Sequence, residues 1–334
     1  MKGEYVSTHI AVFSLGGTIA MTPGAEGGGA VPTLSGDQLL ATVPGLAELD
    51  VKIEAIDFRR LPGASLSFDD LRDLAAAIHD SDADGVVVTQ GTDSIEETAY
   101  LLDLLHTGQV PVVVTGAMRN AALAGPDGPA NVLAAIQVAA DPAARELGCL
   151  VVFADEIHAA SRVRKTHSTS VTTFASPNGG AVGHVVEGRP RFLSGPRERV
   201  TVRLPAQVRF ARVALVTATL GDDGEILRPL VNGCEGLVVA AMGVGHVPAA
   251  YLDALTFLAE RMPVVLTSRT RAGSVLTHTY GYSGSESDLL DRGLINAGFL
   301  HPYKARILLT ALLTAGASRS EIEEAFTRAG DARA

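Results

Sequence analysis

The sequence predicts an α/β protein: a larger, doubly wound N-terminal domain followed by a smaller α/β C-terminal domain. Three observations lead there. Short, wholly apolar runs alternate with helical patterns through residues 1–195, which is the rhythm of parallel strands buried on both faces with helices between them. The rhythm stops across 196–212, a stretch holding Pro196, Pro205 and five arginines, which reads as a linker. A second, shorter α/β series then occupies 213–334. The length of 334 residues agrees with two domains at ~150 residues each.

The elements follow in order. Residues 9–14, 85–89, 110–115 and 149–153 are apolar runs of strand length. Residues 68–80 place Leu71, Leu74, Ala75 and Ile78 at i, i+3, i+4 and i+7, the stripe of an amphipathic helix, and Ser67 with Asp70 three places on forms a capping-box pattern at its start. Helices are also expected at 95–105 and 132–140. In the second domain, strands are expected at 213–217, 236–241 and 263–268, with helices near 250–261, 304–315 and 320–328. Residues 24–29 are a short glycine-rich loop, expected to be mobile and long enough to act as a lid.

Composition excludes several classes of function. Hydrophobic residues make up 47% of the chain, enough for real cores and too many for a disordered chain. The balance of 27 basic against 37 acidic residues gives a net charge of −10, which argues against a basic nucleic-acid-binding surface. No apolar run reaches ~18 residues, so no membrane span is expected. The polar start, 1–8, has no signal-peptide pattern. Cys149 and Cys234 both sit in apolar runs and suggest neither a disulfide framework nor a zinc site, so a cytoplasmic location is expected.

In open α/β sheets, ligands bind beyond the carboxyl ends of the strands, so the segments just after each strand carry the chemistry. The first is Leu15-Gly16-Gly17-Thr18-Ile19-Ala20. Its glycines allow a sharp turn and close backbone approach, and Thr18 presents a hydroxyl at the sheet edge. A tight turn with Thr18 as a capping residue explains the same segment. The second is Thr89-Gln90-Gly91-Thr92-Asp93, which adds a hydroxyl and a carboxylate at the same edge. Thr92, Asp93 or Ser94 could cap the following helix, with Glu96 or Glu97 completing a box. One cap needs one such residue, however, and this run supplies several.

The third segment is 162–169, Arg-Val-Arg-Lys-Thr-His-Ser-Thr. The chain has four lysines against 23 arginines, yet Lys165 stands in a segment that already uses arginine twice. Arginine keeps its proton in proteins, whereas a desolvated lysine can lose it, so Lys165 is a candidate base. Two hydroxyls, a carboxylate, an amine and glycine N–H groups suited to an oxyanion are the equipment for acyl transfer without metal or cofactor. Competing motifs are absent. The run 243–248, Gly-Val-Gly-His-Val-Pro, fails the G-x-G-x-x-G pattern at its last position, and no P-loop, H-E-x-x-H or G-x-S-x-G occurs. The nine histidines do not fall at metal-ligand spacing, although His246 and His278 lie near strand ends of the second domain.

With these residues in view, the chain resembles the bacterial-type L-asparaginase (asparaginase/glutaminase) family. The run 16–20, Gly-Gly-Thr-Ile-Ala, is similar to the family's first signature, and 84–93, ending Thr92-Asp93, to its second. Segments 115–119, 127–131, 165–166 running on to 176–178, and 301–306 are also similar, so the resemblance spans about residues 9–328. It implies a larger Rossmann-like N-terminal domain and a homotetramer built as a dimer of intimate dimers. Each site then lies between the N-terminal domain of one subunit and the C-terminal domain of its neighbour. It also implies a small-molecule amide substrate, no cofactor, and hydrolysis of L-asparagine to L-aspartate and ammonia. Thr18 is then the nucleophile, with Thr92, Asp93 and Lys165 a linked triad that shares protons and Asp93 holding the substrate's ammonium. N–H groups near Gly17 and Thr92 would stabilise the oxyanion, the Ala117 carbonyl would receive the leaving amide, and Gly91 would line the substrate.

Three departures from the family pattern are visible. Between Met21 and Leu40 there is no Tyr to meet the nucleophile; Gly27-Gly28-Gly29 stands there instead. The loop that usually offers Ser and Gln to the substrate's α-carboxylate and α-amine reads Leu61-Pro62-Gly63-Ala64-Ser65, making Gly63 and Ala64 the counterparts and Ser65 a substitute one or two places along. In the second domain, His246 and Pro248 occupy the region of the neighbour's Asn, and Glu286 that of its Glu. A site poorer in polar groups discriminates less by hydrogen bonding. Glutamine, D-asparagine or another small amide therefore stay open as substrates, as does a catalytically weakened regulator that binds aspartate or asparagine. A tRNA-dependent amidotransferase subunit fits less well, since the chain has no extra domain and no basic surface signal.

Overall fold

The computed structural model describes residues 7–22, 31–32 and 35–331. The glycine-rich loop 24–29 lies outside these residues. Two units divide the chain, 1–196 and 197–334. The arginine-rich stretch read as a linker belongs to the second unit. Arg328 there bonds Glu198, and Ala211 N–H donates to Thr314 Oγ1.

The first unit opens with β1 (Thr8–Ser14) and a short antiparallel pair, β2 (Met21–Thr22) and β3 (Val31–Pro32). Helix α1 (Gly36–Leu40), β4 (Val51–Asp57), α2 (Phe68–His79), β5 (Gly85–Thr89), α3 (Ile95–Leu105), β6 (Val112–Thr115), α4 (Gly128–Ala140) and β7 (Cys149–Phe153) complete the parallel part. Strands β8 (Glu156–Ala159), β11 (Gly183–Val186) and β12 (Arg189–Phe192) extend the sheet in antiparallel fashion. A two-residue pair, β9 (Arg164–Lys165) with β10 (Phe174–Ala175), stands apart from it. The eight-stranded order is β12-β11-β8-β7-β6-β5-β1-β4.

Both faces of the central strands are buried, which is why their sequences are apolar throughout. Ile10, Val12, Val87, Val113, Leu150 and Val152 form one core with Val132, Ala135, Ile136 and Ala139 of α4. The alternate residues, Ala11, Phe13, Val86, Val88, Val112 and Val114, are equally buried on the other face. Helix α2 begins with the reciprocal Ser67–Asp70 capping box. Helix α4 starts at Gly128, four residues earlier than its apolar stripe suggests, because Pro129 fits the first helical turn, where no N–H is needed.

The chain leaves β1 to reach β4 on one side and later returns to β5 on the other. The strand order therefore reverses about β1. Such a switch point opens a crevice beyond the carboxyl ends, here between the loops that follow β1 and β5. The register fixes their heights, since Ser14 pairs with Thr89 and Thr89 with Thr115. Three loops thus leave the sheet at one level.

The second unit holds β13 (Val213–Thr217), β14 (Gly236–Ala241), α5 (Leu252–Ala259), β15 (Val264–Ser268), α6 (Glu286–Asp291), β16 (Ile295–Asn296), α7 (Pro302–Thr314) and α8 (Arg319–Ala329). Its sheet is parallel, in the order β13-β14-β15-β16. Among the described residues, no helix is long and apolar enough to cross a membrane.

Candidate active site

The crevice is assembled by glycines. Gly16 and Gly17 hold φ of +100° and +87°, left-handed values that other residues adopt at a cost. A Cβ on Gly16 would lie 2.8 Å from the Leu61 carbonyl oxygen, and one on Gly17 would overlap the backbone of Gly91. A Cβ on Gly63 would lie 2.9 Å from the Gly91 carbonyl oxygen. Three loops therefore cross with their backbones in contact at Gly17, Gly63 and Gly91. Thr18 and Thr92 each follow one of these glycines directly, so the crossing brings their main chains close together. Thr18 is partly exposed and opens a short 3-10 turn; Thr92 is buried and opens another.

Lys165 reaches this point from a distant part of the chain. Its Nζ donates to Thr92 Oγ1 at 2.9 Å and to Asp93 Oδ1 at 2.7 Å, and its side chain is 14% exposed. Asp93 is 73% exposed, so much of its carboxylate stays open to a ligand. None of Thr92, Asp93 and Ser94 caps α3 with its side chain: the first two meet Lys165, and Ser94, at the N-cap position, donates to the Gly63 carbonyl oxygen at 2.8 Å.

Several residues not assigned such a role from the sequence hold these groups in place. Glu96, buried in the first turn of α3, accepts from the Lys165 backbone N–H at 3.4 Å. Residue 165 also pairs with Phe174, so a two-residue ladder and a carboxylate fix its main chain. The loop after β6 is pinned from the start of α4. Asp127 accepts from the N–H groups of Met118 and Arg119, and Asn131 Nδ2 donates to the Gly116 carbonyl. Ala117, 1% exposed, sits between these anchors. The familial run 127–131 was the available signal, and its role is to brace this loop. Gly63, Ala64 and Ser65 form a 3-10 turn in which Gly63 is buried and the other two are exposed.

In the second unit, His246 Nε2 lies 3.1 Å from Glu286 Oε2, and Oε1 of Glu286 accepts from Thr279 and Tyr280 N–H at 2.8 Å each. Burial pushes the Glu286 carboxyl up, but the N–H groups of Tyr280, Glu286 itself and Thr279, with His246, hold it below the usual carboxylate range. With 0% exposure and both oxygens engaged, Glu286 braces His246 and the 279–280 turn within its own unit. His278 pairs with its neighbour Thr277 on the surface. Among the described residues, no group of three or more His, Cys, Asp or Glu is placed to hold a metal ion.

A hydroxyl, a carboxylate and an amine meeting beside the switch point of a parallel sheet form a constellation suited to acyl transfer. Comparison with known proteins names the family. A model described as "Asparaginase, N-terminal" matches residues 9–198, and one described as "Glutaminase/Asparaginase C-terminal domain" matches 212–326. A "Probable L-asparaginase" of Deinococcus radiodurans is 38% identical over 325 residues, covering 96% of this chain and 97% of that protein. A "Probable L-asparaginase periplasmic" of Haemophilus influenzae is 34% identical, covering 95% and 92%. The crystal structure of a "Probable Cytoplasmic L-asparaginase" from Campylobacter jejuni superposes with a TM-score of 0.85 at 31% identity, covering 96% of this chain and 99% of that one. The chain belongs to the asparaginase family and is an enzyme of that family.

Proposed function

We propose that this enzyme hydrolyses the side-chain amide of L-asparagine to L-aspartate and ammonia through an acyl-enzyme on Thr18. The observation that carries the reading is Lys165 Nζ held between Thr92 Oγ1 and Asp93 Oδ1, beside the crossing of backbones at Gly17 and Gly91 that Thr18 directly follows. In the first half-reaction, Thr18 Oγ attacks the amide carbon and its proton passes to the departing nitrogen, which leaves as ammonia. In the second, water attacks the resulting ester, with Thr92, Asp93 and Lys165 taking up and returning its proton, and aspartate leaves. Backbone N–H groups near Gly17 and Thr92 face the developing oxyanion; one such donor is worth ~10²–10³ in rate. The Ala117 carbonyl receives the leaving amide, Gly91 lines the substrate, and the open carboxylate of Asp93 meets its ammonium.

The Gly63–Ser65 turn supports a second substrate reading. Gly63 and Ala64 carry no side-chain donor, so glutamine, D-asparagine or another small amide competes more nearly on equal terms than in a site with full polar contacts. The homotetramer of two intimate dimers and the cytoplasmic location belong to the same proposal. The Campylobacter structure is described as cytoplasmic, while the Haemophilus relative is described as periplasmic. Light scattering tests the assembly, at four times the chain mass of 34.6 kDa. Ammonia release from L-asparagine, L-glutamine and D-asparagine, compared side by side, tests the activity. Fastest turnover of L-asparagine is expected. Saturable aspartate binding with no turnover of any amide would make the protein a regulator instead.

A further inference from the structure

Three backbones cross at Gly17, Gly63 and Gly91, and two side chains of the loop that holds Gly91, Gln90 and Ser94, tie it to the one that holds Gly63. Gln90 is fully buried, directly after β5. Its Nε2 donates to the Gly91 carbonyl and to Ser94 Oγ, both at 3.2 Å, and Ser94 Oγ donates in turn to the Gly63 carbonyl at 2.8 Å. The direction of this chain is fixed. A carbonyl oxygen only accepts, so the amide must aim its NH₂ at Gly91. The second N–H then fills the acceptor side of the Ser94 hydroxyl, and the hydroxyl proton is left for Gly63. Among the described residues, Gln90 Oε1 has no hydrogen-bond partner. An orphaned buried acceptor costs ~1–3 kcal/mol. The fold carries that cost with the donors of Gln90 committed to this crossing.

The turn at the end of the chain needs such a tie. Ala64 and Ser65 are exposed, so apolar packing does not hold them. Local bonds shape the turn, from Ser65 N–H to Pro62 O at 2.8 Å and from Leu66 N–H to Gly63 O at 3.3 Å. These bonds set its form but not its height above the crevice. Ser94 does that, from one place beyond Asp93.

We propose that Ser94 is a specificity-determining positioning residue. Its hydroxyl, oriented by Gln90, holds the Gly63–Ser65 turn at the level where it meets the groups on the α-carbon of the substrate. This rests on the reading of the crevice as an amidohydrolase site. Ser94 touches neither the scissile amide nor the nucleophile, so its loss acts on binding more than on chemistry.

The test compares the parent with Ser94→Ala and Ser94→Thr on L-asparagine, together with hydrogen–deuterium exchange of residues 61–66. Ser94→Ala is expected to raise KM ~10-fold, the factor set by losing one hydrogen bond of about 1.4 kcal/mol, with the loss carried by KM rather than kcat. Deuterium uptake at 61–66 rises in the same variant. Ser94→Thr, which keeps the hydroxyl, restores both. A loss confined to kcat would assign Ser94 to the chemistry at Thr92 and overturn the proposal. So would an unchanged KM, or a threonine variant no better than alanine. If the parent releases ammonia from no amide, the functional reading has failed by itself. The exchange data still decide whether Ser94 ties the turn: raised uptake in Ser94→Ala, reversed in Ser94→Thr, upholds the tie, and unchanged uptake ends it.

Discussion

Replacing Lys165 by methionine and, separately, by arginine isolates what its amine does. In the structure Nζ donates to one buried hydroxyl and one open carboxylate. Because Asp93 is 73% exposed, the ion pair contributes only ~0–1 kcal/mol to stability. Loss of that contact lowers the melting temperature by about 2–4 °C at most for a domain of this size. Its effect on rate is far larger. A positioned acid–base group contributes ~10²–10⁴, or about 3–5 kcal/mol of barrier. Lys165→Met is therefore expected to lower kcat ~10³-fold with a melting curve close to the parent's. Lys165→Arg keeps the charge and the donors but holds its proton at any workable pH, so it is expected to remain ~10²-fold or more below the parent. The assay is steady-state ammonia release, with thermal melting of each variant alongside. A near-parental rate for Lys165→Arg would show that a fixed positive charge suffices and that Lys165 is not a proton carrier. A methionine variant that fails to fold would refute the claim that the pair is marginal for stability.

Other outcomes follow from the same geometry. Gly17→Ala places a Cβ against the Gly91 backbone at a φ of +87°, so it should destabilise the first unit by ~1–3 kcal/mol or more, read by denaturant unfolding. Burial, then the neighbouring His184, pushes His158 down to about 4, even though the Glu156 carboxylate lies 3.2 Å from Nε2; that carboxylate makes no hydrogen bond there. A histidine with a depressed folded pKa leaves the unfolded chain binding more protons between its two values. Its contribution is therefore full above pH ~6.5 and is lost as pH falls towards about 4, amounting to ~2–3 kcal/mol. Stability measured from pH 7 to 4 should fall less steeply in His158→Asn. Glu96→Ala, by freeing the main chain of Lys165, is expected to reduce kcat ~10-fold or more, while Glu96→Gln, which keeps an acceptor, loses less.

The sequence carried the central strands plainly because both of their faces are buried, so periodicity was replaced by unbroken apolar runs. β4 was less visible. It is an edge strand, and its Val51, Ile53, Ala55 alternation with Lys52 and Glu54 is the weaker period-two signal. The antiparallel extension was hidden by its turns. The β7–β8 hairpin turns through Ala154 and Asp155 at φ of +49° and +61°, where asparagine and glycine are the usual markers. At the candidate site, the runs after β1 and β5 were legible as polar interruptions after strands. Ser94 was legible only as a cap for α3, because nothing in a linear sequence shows that a hydroxyl will reach the carbonyl of Gly63. Glu96 was legible only as part of a capping box and Asn131 only as part of the run 127–131; each acts on the main chain of a segment that folding alone brings near.

The proposed nucleophile, Thr18, can be trapped directly. Enzyme mixed with L-asparagine is quenched in acid within one turnover, digested, and its peptides weighed. An aspartyl ester is expected on the peptide that contains Thr18, absent from a folded Thr18→Val variant that releases no ammonia. An ester on the peptide of Thr92, or full turnover by Thr18→Val, would contradict the proposal.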